Sequence, residues 1–193
     1  LNPIAKMSGI ALLTAGLAGC VDVSMDVEVL SQTEARGTMV TGMSPDMYAM
    51  MSMEGVESEA FCEDGDIVET AAVVECRVVE EGSFEDLRFD EDGENRPVFE
   101  ALGDGRIRVS FPTEGVADEV NDEAGASDPE MAAMIATMFE GHFITLSVSG
   151  GEIVETNMET AEDGQSARFQ IPLGGLVSGS VEIPAELYAV VQK

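Results

Sequence analysis

The chain has 193 residues, 38 of them acidic and nine basic, for a formal charge of −29 at pH 7. A surface of that sign repels nucleic acid and anionic headgroups, so no nucleic-acid partner is expected. The length suits one domain with a real core.

Residues 1–19 read as a secretion signal. Lys6 is their only charge, and residues 7–18 are small or apolar. That run is too short for a bilayer core, which needs ~20 apolar residues, and fits the apolar region of a signal peptide. Leu17-Ala18-Gly19 then leads directly into Cys20, a motif that resembles a lipobox. Small neighbours let the extended chain enter the processing enzymes, and the thiol is the nucleophile that accepts a diacylglycerol. The plainer alternative, a buried helix with a chance cysteine, is weak because an uncapped apolar N-terminus is hard to bury. Cys20 is thus expected to be the lipid-bearing first residue of a mature domain, 20–193, with the membrane as partner through its acyl chains. Val21 follows Cys20, with Asp22 one later. An Asp directly after the lipidated cysteine resembles an inner-membrane retention signal. Its absence points to the outer membrane, with the domain facing the periplasm.

The mature part opens on a strand. Val21, Val23, Met25, Val27 and Val29 alternate with Asp22, Ser24, Asp26 and Glu28, and period two means one buried and one wet face. Residues 34–42 read as its hairpin partner. Ser44-Pro45 then begins a helix, with Ser as N-cap and Pro in the first turn. Met47, Met50 and Met51 share a face of it, and Gly55 ends it.

Cys62 and Cys76 are the two cysteines left once Cys20 is acylated. An even pair in an oxidising compartment, 14 positions apart around the Asp64-Gly65-Asp66 turn, is most simply a disulfide. The alternative is two free buried thiols. Without a Cys-x-x-Cys, a redox role is weaker still. Cys76 falls on a strand over 73–79, and residues 83–87 read as a short helical turn.

Residues 98–102 and 106–111 form a second hairpin around Gly103-Asp104-Gly105. The acidic, Gly-containing stretch 113–128 reads as a mobile loop. Ser127, with Glu130 three residues on, is then expected to cap the longest helix. Along it Met131, Met134, Ile135, Met138 and Phe139 make an apolar stripe that should lie on a sheet, and Gly141 closes it. Strands over 143–148 and 152–158 flank Gly150-Gly151, and another over 167–171 follows the Asp163-Gly164 turn. Residues 180–191 are apolar in places. The fold class expected is α+β: an antiparallel sheet of several hairpins, with one long and one shorter helix packed on it.

At this point the pattern resembles the LppM-like lipoprotein domain family. The resemblance rests on Cys20 followed at once by the strand 21–30, on the block Glu34-Ala35-Arg36-Gly37-Thr38, and on residues 143–157. In that last block Ser149-Gly150 stands where Pro-Gly is typical of the family. The Asp163-Gly164 turn and the strand carrying Phe169 complete it. The resemblance covers most of the mature chain and implies an envelope lipoprotein with an α+β domain and no known chemistry. Some members carry a C-terminal membrane helix, and none is expected here.

No catalytic signature is legible. His142 is the single histidine, at a strand start, and no Gly-x-Ser-x-Gly elbow occurs. Paired carboxylates identify nothing in so acidic a chain. The run Asp90-Glu91-Asp92-Gly93-Glu94 lacks the ligand ladder of a calcium loop, and one histidine makes zinc a poor fit. Neither an enzyme, nor a metal site, nor a cofactor is expected.

Methionine is the unusual residue, with 12 in the chain. Met47, Met50 and Met51 in one helix, and Met131, Met134 and Met138 in the other, mark a candidate apolar ligand surface. Flexible thioethers suit a groove for an acyl chain or a partner helix, and they also accept Cu(I). Their helical spacing favours the plain alternative, that they fill core beneath two sheet-packed helices. The function expected is a non-enzymatic, lipid-anchored domain that binds an apolar ligand or a protein partner. The alternative is a structural or assembly lipoprotein with no small ligand.

Overall fold

The computed structural model describes residues 21–53, 61–62, 65–87, 96–123 and 128–193. The expected signal, Cys20, Gly55, Asp64, the acidic run 90–94 and the expected cap Ser127 lie outside them. In chain order the elements begin with β1 (Val21–Val29), β2 (Glu34–Met43), α1 (Pro45–Met53), β3 (Asp66–Glu69), β4 (Val74–Ser83), β5 (Val98–Gly103) and β6 (Arg106–Pro112). They continue with α2 (Val116–Glu123), α3 (Pro129–Met138), β7 (Phe143–Ser149), β8 (Glu152–Thr156), β9 (Glu159–Thr160), β10 (Ser166–Pro172), α4 (Leu173–Val177) and β11 (Glu186–Gln192).

The alternation in β1 does what period two requires: Val27 and Val29 are fully buried, and Asp22 and Asp26 are exposed. β2 returns antiparallel, in register from Val29↔Ala35 to Val21↔Met43. The resulting seven-stranded sheet runs β3-β4-β2-β1-β7-β10-β9. Its centre departs from the expected run of hairpins, because β7 lies parallel to β1, from Val23↔Ile144 to Glu28↔Ser149. Four strands, β5-β6-β11-β8, make a second sheet that is antiparallel throughout.

The two sheets pack face to face. Val27, Val29, Ala35, Val148, Ala167 and Ile171 from the larger meet Ile107, Val109, Phe111, Leu187, Ala189 and Val191 from the smaller. Each Val, Leu, Ile or Phe so buried contributes roughly 1.5–3 kcal/mol, and each Ala less. β7 and β8, expected on either side of a glycine turn, belong to different sheets. Gly150 (φ 106°) lies so near the end of β1 that a Cβ on it would stand 2.2 Å from the Val29 carbonyl oxygen. A Cβ on Gly151 would stand 2.4 Å from the Gln192 carbonyl oxygen. The glycine pair therefore threads the chain from one sheet to the other between two strand ends.

The helices also correct the sequence reading. The stretch 113–128 contains α2, which packs Val116, Ala117 and Val120 on the core while Asp118 and Asp122 face solvent. Among the described residues no helix stands out as the long one: α1, α2 and α3 have nine, eight and ten residues. Residues 83–87 form one turn, held by the Asp86 amide on the Ser83 carbonyl. Among the described residues no helix is long and apolar enough to cross a membrane.

Candidate functional site

Six methionines on α1 and α3 are the sequence-derived candidates, and the structure divides them by exposure. Ser44 caps α1, accepting from the Met47 amide at 3.3 Å. Met47, Tyr48 and Met51 rest half-buried, with Phe61, on the patch formed by Val21, Met43 and Val74. Tyr48 and Phe61 stack tilted, 5.6 Å between ring centroids. Met50 turns to solvent at 60% exposure, and Met53, which the sequence reading passed over as a site residue, is 87% exposed.

α3 is capped by Asp128, not by Ser127. Asp128 Oδ1 accepts from the amides of Glu130 (3.0 Å) and Met131 (2.9 Å). Pro129 occupies the first turn, which makes the residue directly before it the natural cap. The buried stripe is likewise offset from the expected one. Ile135 and Phe139 pack on Leu173 and Val177 of α4, flanked by Ala132, Ala136, Val120 and Ile144. Met131, Met134 and Met138, expected to lie against the sheet, are 39%, 57% and 44% exposed. The reason is the close approach of α4: a Cβ on Gly174 would stand 2.6 Å from the Ala136 carbonyl oxygen. Only small residues fit such an approach, so the alanine side faces inward and the methionine side outward.

The two helices attach to the same end of the larger sheet. β2 ends at Met43, opposite Val21, and α1 follows directly. On the other side of β1, Asp22 Oδ1 accepts from the Phe143 amide at 2.9 Å, and Asp22 Oδ2 lies 3.4 Å from His142 Nδ1. The clusters beneath the helices meet in register, because Val23 packs with α1 and its strand partner Ile144 with α3. Asp22 thus fixes a strand start through the Phe143 amide, with His142 beside it.

Cys62 and Cys76 form a disulfide, their Cα atoms 5.3 Å apart and both side chains buried. Sequence reasoning missed β3, which makes a hairpin with β4 inside this loop, Ile67 opposite Cys76. Four residues with an acid at each end give little pattern to read.

Polar groups are spent on one another. Arg36 bridges its two strand partners, Glu28 and Glu81, each at 2.8 Å; bonding to and attraction from Glu81, then Glu28, strengthen its hold on its proton. On the outer face of the smaller sheet Arg108 stacks over Tyr188 and pairs with Glu186. The Tyr188 hydroxyl donates to Glu155 at 3.0 Å, which, with partial desolvation, pushes the phenol up. Ser147 donates to Asp26. Among the described residues no group of three His, Cys, Asp or Glu side chains is placed to hold a metal.

Open clefts mark the surface of the described residues, two of them near the helices. One of about 300 Å³ lies between α3 and α4 beside Ala136, Phe139, Pro172 and Gly174. The other, about 640 Å³, lies beside Thr113, Ala117, Leu176, Ile183 and Pro184. No methionine lines either.

No family model matches the chain, and no curated protein does. Among solved structures the chain is similar to the NMR structure of the folded domain of Mycobacterium tuberculosis LppM. Identity is 11%, covering 90% of this chain and 91% of that one, with a TM-score of 0.49. A likeness of that size says nothing of ligand or role.

Proposed function

We propose that this chain is a lipid-anchored envelope lipoprotein of the LppM-like kind, whose domain works by binding an apolar ligand or a protein partner rather than by catalysis. One observation carries the reading: Met50, Met53, Met131, Met134 and Met138 stay exposed on helices that turn other side chains inward. Met131, Met134 and Met138 recur at helical spacing on one face of α3; an exposed apolar run of that kind is uncommon without a use, and methionine adapts to varied partners. The lipobox at Cys20 supports the anchor, and the blocks at 34–38 and 143–157 support the LppM-like assignment. Val21 in the place after Cys20 supports the outer membrane, the domain facing the periplasm.

The test is acyl labelling together with ligand titration of the mature lipoprotein. Cys20→Ser should abolish labelling and leave unprocessed precursor. A fluorescent fatty acid should bind saturably, and Met134→Glu should weaken it about tenfold if the methionine surface is the contact. Normal labelling in the Cys20→Ser variant sinks the anchor. A structural or assembly role without a small ligand is favoured by a different observation: the side chains between the sheets are closed off from solvent, with Val27, Val109, Leu187 and Val191 at 0% exposure. That role is expected to give no co-purifying amphiphile and no saturable binding.

A further inference from the structure

We propose that the methionine surface of α1 and α3 rests on the bilayer in which Cys20 is anchored. The inference deepens the binding role proposed above and rests on the Cys20 anchor.

Chain geometry leads to it. β1 begins at Val21, the residue after Cys20. Consecutive Cα atoms are ~3.8 Å apart, so no linker lets the domain stand off from the headgroups. Val21 is flanked by β2 and β7, and the methionine helices attach to the ends of those strands that border it. α1 leaves from Met43, the partner of Val21, and α3 arrives at Phe143, which is bonded to Asp22. α1 is nine residues long, so its tip lies within ~13 Å of its start. Anchoring the chain at Cys20 therefore brings both helices to the membrane.

Composition agrees. The chain is 24% charged, yet α1 carries only Asp46 and α3 only Glu130, each in the first turn. Ten large apolar side chains are exposed among the described residues, and five are the methionines of these two helices. Long flexible thioethers enter the headgroup–acyl boundary readily. The formal charge of −29 calls for a zwitterionic surface, because an anionic one repels the domain.

The absence of tryptophan from the chain makes a clean test possible. The full lipoprotein, carrying Met53→Trp or Met134→Trp, is reconstituted into vesicles of phosphatidylcholine brominated on its acyl chains. The control is Leu102→Trp. Leu102 is exposed beside the turn that bonds Lys193, whose ammonium reaches Gly150 at the Val29 end of β1. Eight strand steps put that end ~26 Å from Val21. The expected result is about twofold or greater quenching of the two methionine-site tryptophans relative to the control. Equal quenching in protein that floats with the vesicles overturns the inference while the anchor stands, and gives the surface to a protein partner. Failure to float overturns anchor and inference together.

Discussion

Asp22 joins two strands that are 121 residues apart in the chain: its carboxylate accepts the amide of Phe143 at 2.9 Å. The same side chain faces His142. The bond fixes the start of β7 beside the start of β1, where the pairing is parallel and each residue adds slightly less than in an antiparallel ladder.

Asp22→Ala should therefore cost about 0.5–1.5 kcal/mol, the net value of one hydrogen bond. Asp22→Asn keeps an acceptor and should recover most of the loss. Urea denaturation of the two variants checks this. Equal losses in both would mean that the charge, and not the bond to Phe143, is what matters.

The disulfide hairpin makes a coupled prediction. Cys62→Ala with Cys76→Ala opens a link spanning 14 residues and should cost up to ~3 kcal/mol by the chain-entropy argument. A Cβ on Gly65 would stand 2.8 Å from Cys62 Sγ and 2.9 Å from the Arg77 carbonyl oxygen. Gly65→Ala should thus cost about 1–3 kcal/mol through overpacking. In the disulfide-free protein that penalty should shrink, since one of three obstacles is gone, the third being Val78 Cγ2 at 2.9 Å. A double-mutant cycle measures the difference, and full additivity would show that the sulfur is not what Gly65 avoids.

The sequence was legible where a pattern meets one partner and one face. β1 shows its buried side by strict alternation, and Ser44-Pro45 marks the start of α1. Cys62 and Cys76, 14 positions apart around a turn, pair as their spacing suggested. It was less legible where distant backbone decides. Gly150 and Gly151 look like a hairpin turn, yet their neighbours are Val29 and Gln192, far off in the chain. α2 hides among carboxylates, and α4 hides behind Gly174-Gly175, poor helix formers kept for close packing. In α3 two stripes share Ile135 and Phe139, one completed by methionines and one by alanines. Hydrophobicity favours the first; the nearness of α4 selects the second.

Tyr188 gives a pH prediction. Its bond to Glu155, then desolvation, raises its pKa above the ordinary phenol value near 10. Ionisation is harder in the folded than in the unfolded chain, so this contribution to stability is complete below about pH 10. It is lost as pH rises through the raised folded value. Glu155→Ala should bring the phenol back down toward 10 in an ultraviolet titration, with Tyr188→Phe identifying the signal. An unchanged titration in Glu155→Ala would remove Glu155 as the cause.

The two sides of α3 should separate stability from binding. Phe139 is 1% exposed and Ile135 9%, so Phe139→Ala should cost about 3–5 kcal/mol and Ile135→Ala about 2–5. Met138 neighbours both in the helix but is 44% exposed. Met138→Ala should stay within about 0.5 kcal/mol of the parent, since little leaves the core when its side chain is cut. Met134→Glu should be as mild, because its site already faces water. If that variant keeps the parent's melting temperature and loses apolar binding, the methionines are a surface for use. If Met138→Ala instead costs as much as Ile135→Ala, the methionine side is packed in solution, and the stripe is core after all.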